Sequence, residues 1–435
     1  MNFLFEDLKE LRNFVDCKDV CPSGIGRFGV SPLVNVINIL VYEKKEGFKT
    51  IHSDCDNYII SAGVNHSPDD WTGYNPKVKS LFSHLNNKYI NDLRSGNALL
   101  LIDQSFEGYQ TPWLWDWFHE DCQKYQILPS SVVYVTGNMI VDEVYKKWAD
   151  DKNITNRLKV IGYPHFEIDV AMNAINRPVV SDLPPLPTFE DHINYKTKNI
   201  EYIKSYACLN KRIRPHRVWF YNYLYHSGIL NKGLVSMNEF QKHPYNWEGK
   251  EMSQEILDEI SSILPIRVYG KPNDELDDNF YINRFNPEIC LDTYVSVVSE
   301  AHCGDSDQTM FLSEKIFKPI ATRHPYMVMG NKDSLRKMRE IGYKTFDDFI
   351  DQSYDSLPTH ERLESIIKSL IKIENIQDKL SWFKSMENDL EHNYNILTGN
   401  IYNKRVLALD ELENYYKEYF KDKENGTKKV STNII

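Results

Sequence analysis

The sequence has no CxxC pair. Its seven cysteines, Cys17, Cys21, Cys55, Cys122, Cys208, Cys290 and Cys303, are odd in number and scattered. That spacing argues against a structural zinc site and a disulfide framework, and reads as reduced thiols. No apolar run approaches ~18 residues, so no membrane span is expected. Met1 to Glu10 is acidic and amphipathic and lacks a signal-peptide pattern. Basic charge is in deficit as well: 51 Lys+Arg against 62 Asp+Glu give a formal net charge of −11. Such a chain does not rely on bulk attraction to nucleic acid, although a local basic groove is compatible with it. No internal repeat or long low-complexity tract is visible. These absences together predict a soluble, cytoplasmic protein.

What is present is globular. The chain has 435 residues, 41% hydrophobic and 26% charged, long enough for two domains. Aromatic content is 13%, with 27 Tyr and 8 Trp. That suits a binder of sugars or bases, and suits a Tyr-rich core equally.

Strand signals recur through the first half. Tyr58–Ala62, Leu99–Asp103, Val132–Thr136 and Leu158–Ile161 are short apolar runs, and a helical segment follows several of them. Leu99–Asp103 is continuous, as a buried parallel strand should be. Repeated strand, loop and helix units indicate a doubly wound parallel sheet. Residues 1–20 read as a helix, since Phe3, Leu4, Leu8, Leu11 and Phe14 share a face. Two motifs in this half are weak. Gly24–Gly29 is formally GxGxxG but lacks the preceding apolar strand. Asp54-Cys-Asp56 is a DxD that precedes a strand rather than following one.

The Pro-rich stretch around Pro184-Pro-Leu-Pro187 reads as a linker. The expected domains are an N-terminal Rossmann-like acceptor domain over 1–180 and a linker over 181–202. A C-terminal Rossmann-like donor domain follows over 203–395, then a helix over 396–420 and a disordered tail over 421–435. In the second half Tyr206–Leu209, Pro265–Tyr269 and Tyr294–Val298 read as strands. Asn210-Lys-Arg-Ile-Arg-Pro-His216 is a basic loop that opens a helix at Arg217. Ser313 caps a helix opened by Glu314 and Lys315, with Ile316, Phe317 and Ile320 on its apolar face and Pro319 shortening or bending it. A helix start offers free N–H groups and a positive dipole end to phosphate. Lys315 adds a full charge there, and Glu314 can accept from sugar hydroxyls.

Three ordered segments resemble the α1,3-fucosyltransferases. They are Tyr206–Leu209 with its Asn-containing loop and Arg217-Val-Trp-Phe-Tyr-Asn-Tyr-Leu224; Val297-Val-Ser-Glu-Ala301; and Ser313-Glu-Lys-Ile-Phe317 with a Pro-aromatic-apolar strand ending at Gly330. The likeness covers about 205–335. It departs from the family pattern at Ser313 (usually Thr), Phe311 (often Tyr) and Pro319. Lys332–Asp355 is also similar to uncharacterised phage-encoded relatives, which would place the protein in a host cytoplasm.

The resemblance implies an α/β fold of two Rossmann-like domains facing a cleft (GT-B), with C-terminal helices. It implies an inverting glycosyltransferase that moves fucose or a related sugar from a nucleoside-diphosphate sugar such as GDP-fucose to a hydroxyl. The acceptor would be a glycan or another hydroxyl compound. Donor-binding candidates are Asn210, Arg212, Arg214, Arg217, Glu300, Ser313, Glu314 and Lys315. Cationic side chains would take the place of a metal, so no cofactor is expected; Gly304-Asp-Ser-Asp307 is a second DxD that does follow a strand. The catalytic base is sought in the first half. Glu107, four residues past the strongest strand and beside Gly108, is the first candidate, and Asp103 is the second. Phe106, Tyr109 and Trp113 would desolvate Glu107. A second reading makes the acceptor a hydroxymethylated base in DNA; the basic loop and Trp-rich first half permit it and the net charge weighs against it. A third is a non-catalytic sugar- or nucleotide-binding protein.

Overall fold

The computed structural model describes residues 2–4, 49–51, 57–63, 80, 82, 85, 87–105, 107–108, 113–180, 185–240, 245–270, 287–399 and 401–424. The Gly24–Gly29 loop, Asp54–Asp56, Phe106, Tyr109 and the tail beyond 424 lie outside these residues. The chain divides into two compact units. The first comprises 1–165, 308–311 and 402–435; the second comprises 166–307 and 312–401. Each is built on a parallel sheet with helices between its strands, so the α/β class with two Rossmann-like halves and C-terminal helices is observed.

The sheet of the first unit has six strands: β1 (Asn2–Leu4), β2 (Lys49–Ile51), β3 (Tyr58–Gly63), β4 (Ala98–Gln104), β5 (Val132–Thr136) and β6 (Lys159–Gly162). Their order is β2-β1-β3-β4-β5-β6, and every pairing is parallel. β4 is buried along its whole length, which explains its unbroken apolar run. Trp115 and Phe118 of the helix Leu114–Lys124 pack on Tyr134 of β5 at ring-centroid distances of 5.9 and 5.3 Å. Part of the Tyr/Trp excess is therefore core rather than binding surface.

The expected N-terminal helix is corrected at Asn2–Leu4, which is a strand. The spacing of Phe3 and Leu4 suits either element, and pairing with the distant β2 and β3 decides between them.

Two further segments complete this unit. The helix Ile401–Glu424 returns to it, with Tyr415 Oη donating to the Ser130 carbonyl at 2.6 Å and Lys159 pairing with Glu411 at 2.9 Å. The short segment 308–311 docks at the carboxyl end of β5. Asn138 Nδ2 donates to the Gln308 carbonyl (2.8 Å), its Oδ1 accepts from the Met310 N–H (2.9 Å), and the Met139 N–H donates to the Met310 carbonyl (2.8 Å). Phe311 fills the space left by two glycines. A Cβ on Gly108 would lie 2.3 Å from Phe311 Cδ2, and one on Gly137 would lie 2.7 Å from its Cε2.

The second unit has a four-stranded parallel sheet ordered β12-β11-β7-β8, where β7 is Lys204–Asn210, β8 is Gly233–Met237, β11 is Thr293–Ser299 and β12 is Tyr326–Met329. The antiparallel pair β9 (Tyr245–Trp247) and β10 (Lys250–Met252) is separate from it. Pro265–Tyr269 is not a strand: Ile266 makes a single bridge to Met237, and Val268–Gly270 is a 3-10 turn. The residues from 359 onward are helical, as Thr359–Glu374, Lys379–Lys384 and Glu387–Gly399.

The stretch read as a linker, 181–202, contains the helix Phe189–Lys198. Thr188 and Asp191 form a capping box at its start. Its inner face carries Phe189, His192 and Lys196, all buried. Lys196 Nζ donates to the carbonyls of Cys290, Leu291 and Thr293 at 3.0, 2.7 and 2.5 Å. The prolines mark only the approach to this helix, and Lys196 fastens it to the sheet.

Candidate functional site

β7 and β11 are neighbours in parallel register, Ser296 opposite Ala207, so their carboxyl ends lie side by side. Each strand end leads toward a helix start rich in charge. After β7, the basic loop enters the arginine helix, Pro215–His226, with Pro at its first position where the missing N–H costs nothing. After β11, the loop 300–307 precedes the lysine helix, Glu314–Ala321. Ser313 caps that helix by accepting from the Lys315 N–H at 3.4 Å. Pro319 lies inside it, and the helix is eight residues long.

Arg217 is 4% exposed and ties the two strand ends together. Its Nη1 donates to the Arg212 carbonyl (2.9 Å), and its Nη2 donates to those of Ser299 (2.9 Å) and Glu300 (3.0 Å). Its buried Nε has no hydrogen-bond partner in the protein, and neither does the buried Ser299 hydroxyl. Burial, then Arg214, pushes the guanidinium down to about 10, still above neutral pH. His216 was counted from sequence as part of the basic loop. That is corrected: burial and Arg217 hold it well below its ordinary value, and its Nε2 donates to the Glu300 carbonyl at 3.1 Å.

Glu300 is 1% exposed, and its carboxylate fixes the cap of the lysine helix. Oε1 accepts from the Ser313 N–H at 3.1 Å, and Oε2 accepts from the Ser313 hydroxyl and, at 3.3 Å, from the Ala301 N–H. Burial raises its pKa against the opposing pull of Lys315. Lys315 Nζ sits 2.6 Å from Glu314 Oε1 and 3.2 Å from Ser313 Oγ. Burial would raise Glu314, but Lys315 and Lys318 outweigh it and hold the carboxyl down to about 2.

The structure thus gathers Arg214, Arg217, Glu300, Ser313, Glu314 and Lys315 at one end of one sheet. Asn210 closes β7, its N–H donating to Ser236 Oγ at 3.1 Å. Arg212 is exposed and contributes its carbonyl. Two residues escaped the sequence reading. His302, half-buried in the loop after β11, faces Arg214, Lys315 and Arg217, and burial with those cations pushes it down to about 4. Asp169, on the helix His165–Val180, is raised to about 6 by burial and by Glu314. Single residues have no spacing signature, and only a strand-end position hinted at His302.

Of the catalytic candidates of the first unit, Asp103 lies in β4 and Glu107 just beyond it. Asp103 is buried, and its Oδ1 accepts from the Ser105 N–H (3.0 Å) and hydroxyl (2.6 Å), as a turn-forming Asp does. Glu107 is half-buried on a fixed backbone, its N–H donating to the Gln104 carbonyl (3.0 Å) and its carbonyl accepting from Gly137 N–H (2.8 Å). The second DxD is engaged: Asp305 pairs with the buried Arg362 and accepts from the Thr359 N–H at 3.0 Å. Among the described residues no group of three or more His, Cys, Asp or Glu is arranged to hold a metal ion. Among the same residues no helix is long and apolar enough to cross a membrane.

No protein-family model matches the chain, and no curated protein matches it. Solved structures do show likeness. A trehalose-6-phosphate structure from E. coli bound with UDP-2-fluoro glucose is 12% identical at a TM-score of 0.42, covering 94% of this chain and 85% of that one. The α,α-trehalose-phosphate synthase (UDP-forming) of Burkholderia vietnamiensis is 11% identical at 0.38, covering 92% and 78%. The UDP-forming synthase of Burkholderia xenovorans is 12% identical at 0.41, covering 88% and 78%. At these scores the likeness carries no argument about activity.

Proposed function

We propose that the chain is a glycosyltransferase that uses a nucleoside-diphosphate sugar. The observation that carries this reading is the convergence of Arg214, Arg217 and Lys315 on two helix starts at adjacent carboxyl strand ends. Open parallel sheets bind ligands outside such strand ends. Free N–H groups, helix dipoles and fixed cations there favour a diphosphate, in the ground state and more so as charge develops on it when it leaves. Glu314, ionised at neutral pH, would accept from a hydroxyl once Lys315 turns to phosphate.

The finer reading, inverting transfer of fucose from GDP-fucose, rests on the resemblance of Arg217–Leu224 and Ser313–Phe317 to the fucosyltransferases. In that chemistry the acceptor oxygen bonds to the anomeric carbon as the bond to the diphosphate breaks. The leaving group departs with the electron pair, and a carboxylate takes the acceptor proton. Glu107 is proposed for that carboxylate, because it is half-buried in the loop past the strand, whereas Asp103 is buried within the strand with Oδ1 accepting from Ser105.

The test is incubation with GDP-fucose and, separately, UDP-glucose, with mass spectrometry of released diphosphate and calorimetry of GDP and UDP. Saturable binding of one diphosphate with slow hydrolysis of its sugar conjugate is expected. If neither GDP nor UDP binds, the reading is wrong. Binding with neither hydrolysis nor transfer would leave a nucleotide-binding protein and remove the enzyme.

A further inference from the structure

The hairpin β9–β10 has no role in the reading above, yet its turn stands at the strand ends that form the proposed diphosphate site. Trp247 pairs with Lys250, so Glu248 and Gly249 are the two turn residues. Both have positive φ, 48° and 75°. Two-residue hairpin turns need such a backbone to match the twist of their strands, and they favour Asn-Gly or Gly-Gly. Glutamate at the first of these positions is not what the backbone prefers. Three contacts fix where the turn lies. The Trp247 ring is 5.9 Å from that of His216, whose Nε2 donates to the Glu300 carbonyl at the end of β11. The same indole is 4.9 Å from the ring of His360, whose Nε2 donates to the Trp247 carbonyl at 3.0 Å. Glu248 reaches the loop after β11: its Oε1 would lie 3.5 Å from a Cβ placed on Gly304. Trp247 is half-buried and Glu248 exposed, and among the described residues neither the indole N–H nor the carboxylate has a hydrogen-bond partner. A backed aromatic ring and an acceptor-only carboxylate therefore stand next to each other beside the cationic strand ends.

We propose that this turn holds the base of the donor nucleotide, the base lying against the Trp247 indole and a guanine donating its N1–H and N2–H to the Glu248 carboxylate. The inference rests on the nucleoside-diphosphate reading above and concerns the end of the donor that the cations do not touch. Every base has a π face, so stacking on the indole holds a base without choosing it. The choice falls to Glu248. An ionised carboxylate accepts hydrogen bonds and donates none. Guanine sets two N–H donors side by side on its Watson–Crick edge, one for each carboxylate oxygen. Uracil has a single N–H there between two carbonyl oxygens, and those oxygens meet a carboxylate as like charges. The turn thus selects GDP over UDP. It also gives a reason for glutamate where the backbone prefers asparagine or glycine, since neither of those offers two charged acceptors.

The experiment is calorimetry of GDP, UDP and inorganic pyrophosphate with the wild type, Trp247→Ala and Glu248→Asn. The wild type should bind GDP more tightly than UDP. Trp247→Ala should lose ~5–100-fold in GDP affinity and leave pyrophosphate, which has no base, unchanged. Glu248→Asn should lose ~10-fold or more for GDP and little for UDP. Its thermal midpoint should equal or exceed that of the wild type, because asparagine suits a φ of 48°. Wild-type GDP affinity in both folded variants would overturn the proposal and leave the diphosphate site standing. An equal loss of GDP and pyrophosphate in Trp247→Ala would show that the ring only supports the strand ends, and a wild type that prefers UDP would remove the guanine assignment. If the wild type binds none of the three, the donor-site reading fails and this inference with it. Should Trp247→Ala not fold, Glu248→Asn, altered at an exposed turn, decides by its ratio of GDP to UDP affinity; an unchanged ratio refutes the proposal.

Discussion

Replacing Lys315 by alanine is the cleanest probe of the proposed donor site. Its ammonium is 26% exposed, lies 2.6 Å from Glu314 and 3.2 Å from Ser313 Oγ, and holds no buried carbonyl. A partly exposed pair of this kind contributes ~0–1 kcal/mol to stability. The Ser313 cap uses the Lys315 backbone and survives the substitution. The folded protein should therefore be nearly unchanged, with Tm moving by no more than ~3 °C. Binding should not be unchanged. One charged hydrogen bond to phosphate is worth ~1.5–3 kcal/mol, or a ~10- to 150-fold loss in GDP or UDP affinity by calorimetry.

Arg217→Ala supplies the contrast. That guanidinium satisfies three carbonyls at the strand ends, and leaving buried acceptors bare costs ~1–3 kcal/mol each, not additively. Weak binding by Arg217→Ala would therefore report a damaged fold as readily as a lost contact. Wild-type affinity in folded Lys315→Ala, for whichever diphosphate the wild type binds, would refute the placement of the diphosphate at the lysine helix.

Glu107→Gln keeps size and removes basicity; kcat for the donor that turns over should fall by ~10²–10⁴ with GDP or UDP affinity intact, and near-normal kcat would remove Glu107 from the reaction. Gly108→Ala puts a Cβ within 2.3–2.6 Å of three Phe311 atoms, so thermal unfolding should show a loss of ~1–3 kcal/mol that Phe311→Leu partly restores. Acid should destabilise the second unit through its buried imidazoles. His192, whose Nε2 donates to the Thr322 carbonyl at 2.6 Å while Nδ1 has no hydrogen-bond partner, is pushed from 6.5 down to about 3 by burial and Lys196. The unfolded chain then binds more protons between those values, so this stability is complete above 6.5 and is lost as pH falls toward 3. In denaturant titrations from pH 7 to 4, His192→Gln should flatten the slope by about one proton, and an unchanged slope would show that His192 is not neutral in the fold.

The elements that were legible in the sequence are those whose signal is local. β4 is a continuous apolar run because both faces of its sheet are covered, and Ser313 announces its helix because capping needs a short oxygen side chain one residue ahead. The departures share a cause, which is that long-range pairing leaves no periodicity. Asn2–Leu4 is a strand only because β2 and β3 flank it. Phe189–Lys198 was hidden behind prolines, and its strongest tie, Lys196 to three carbonyls almost a hundred residues away, has no sequence mark. Among the candidate site residues, Arg217, Glu300, Ser313 and Lys315 were named as ligand contacts. Their grip on one another, through backbone carbonyls and a buried carboxylate, was not foreseeable from residue types.

That grip changes what the Glu-Lys pair can do. Arg217 is largely committed to the fold, with only Nε unpartnered, and Glu300 is committed to Ser313. Lys315 is committed only to Glu314, its neighbour in the chain, and to the Ser313 hydroxyl. If a diphosphate at the helix start were to draw the ammonium away from Glu314, one charged contact would replace another. Glu314 then loses the strongest of the attractions that hold it down. From about 2 its pKa can rise by the ~1–3 units such a partner supplies and still leave the carboxylate ionised near neutral pH. Freed in that form, it would be an acceptor for a sugar hydroxyl. A single anion would thereby engage the lysine and release the glutamate in one movement, which gives a physical reason for the two residues to stand side by side at the first turn of one helix.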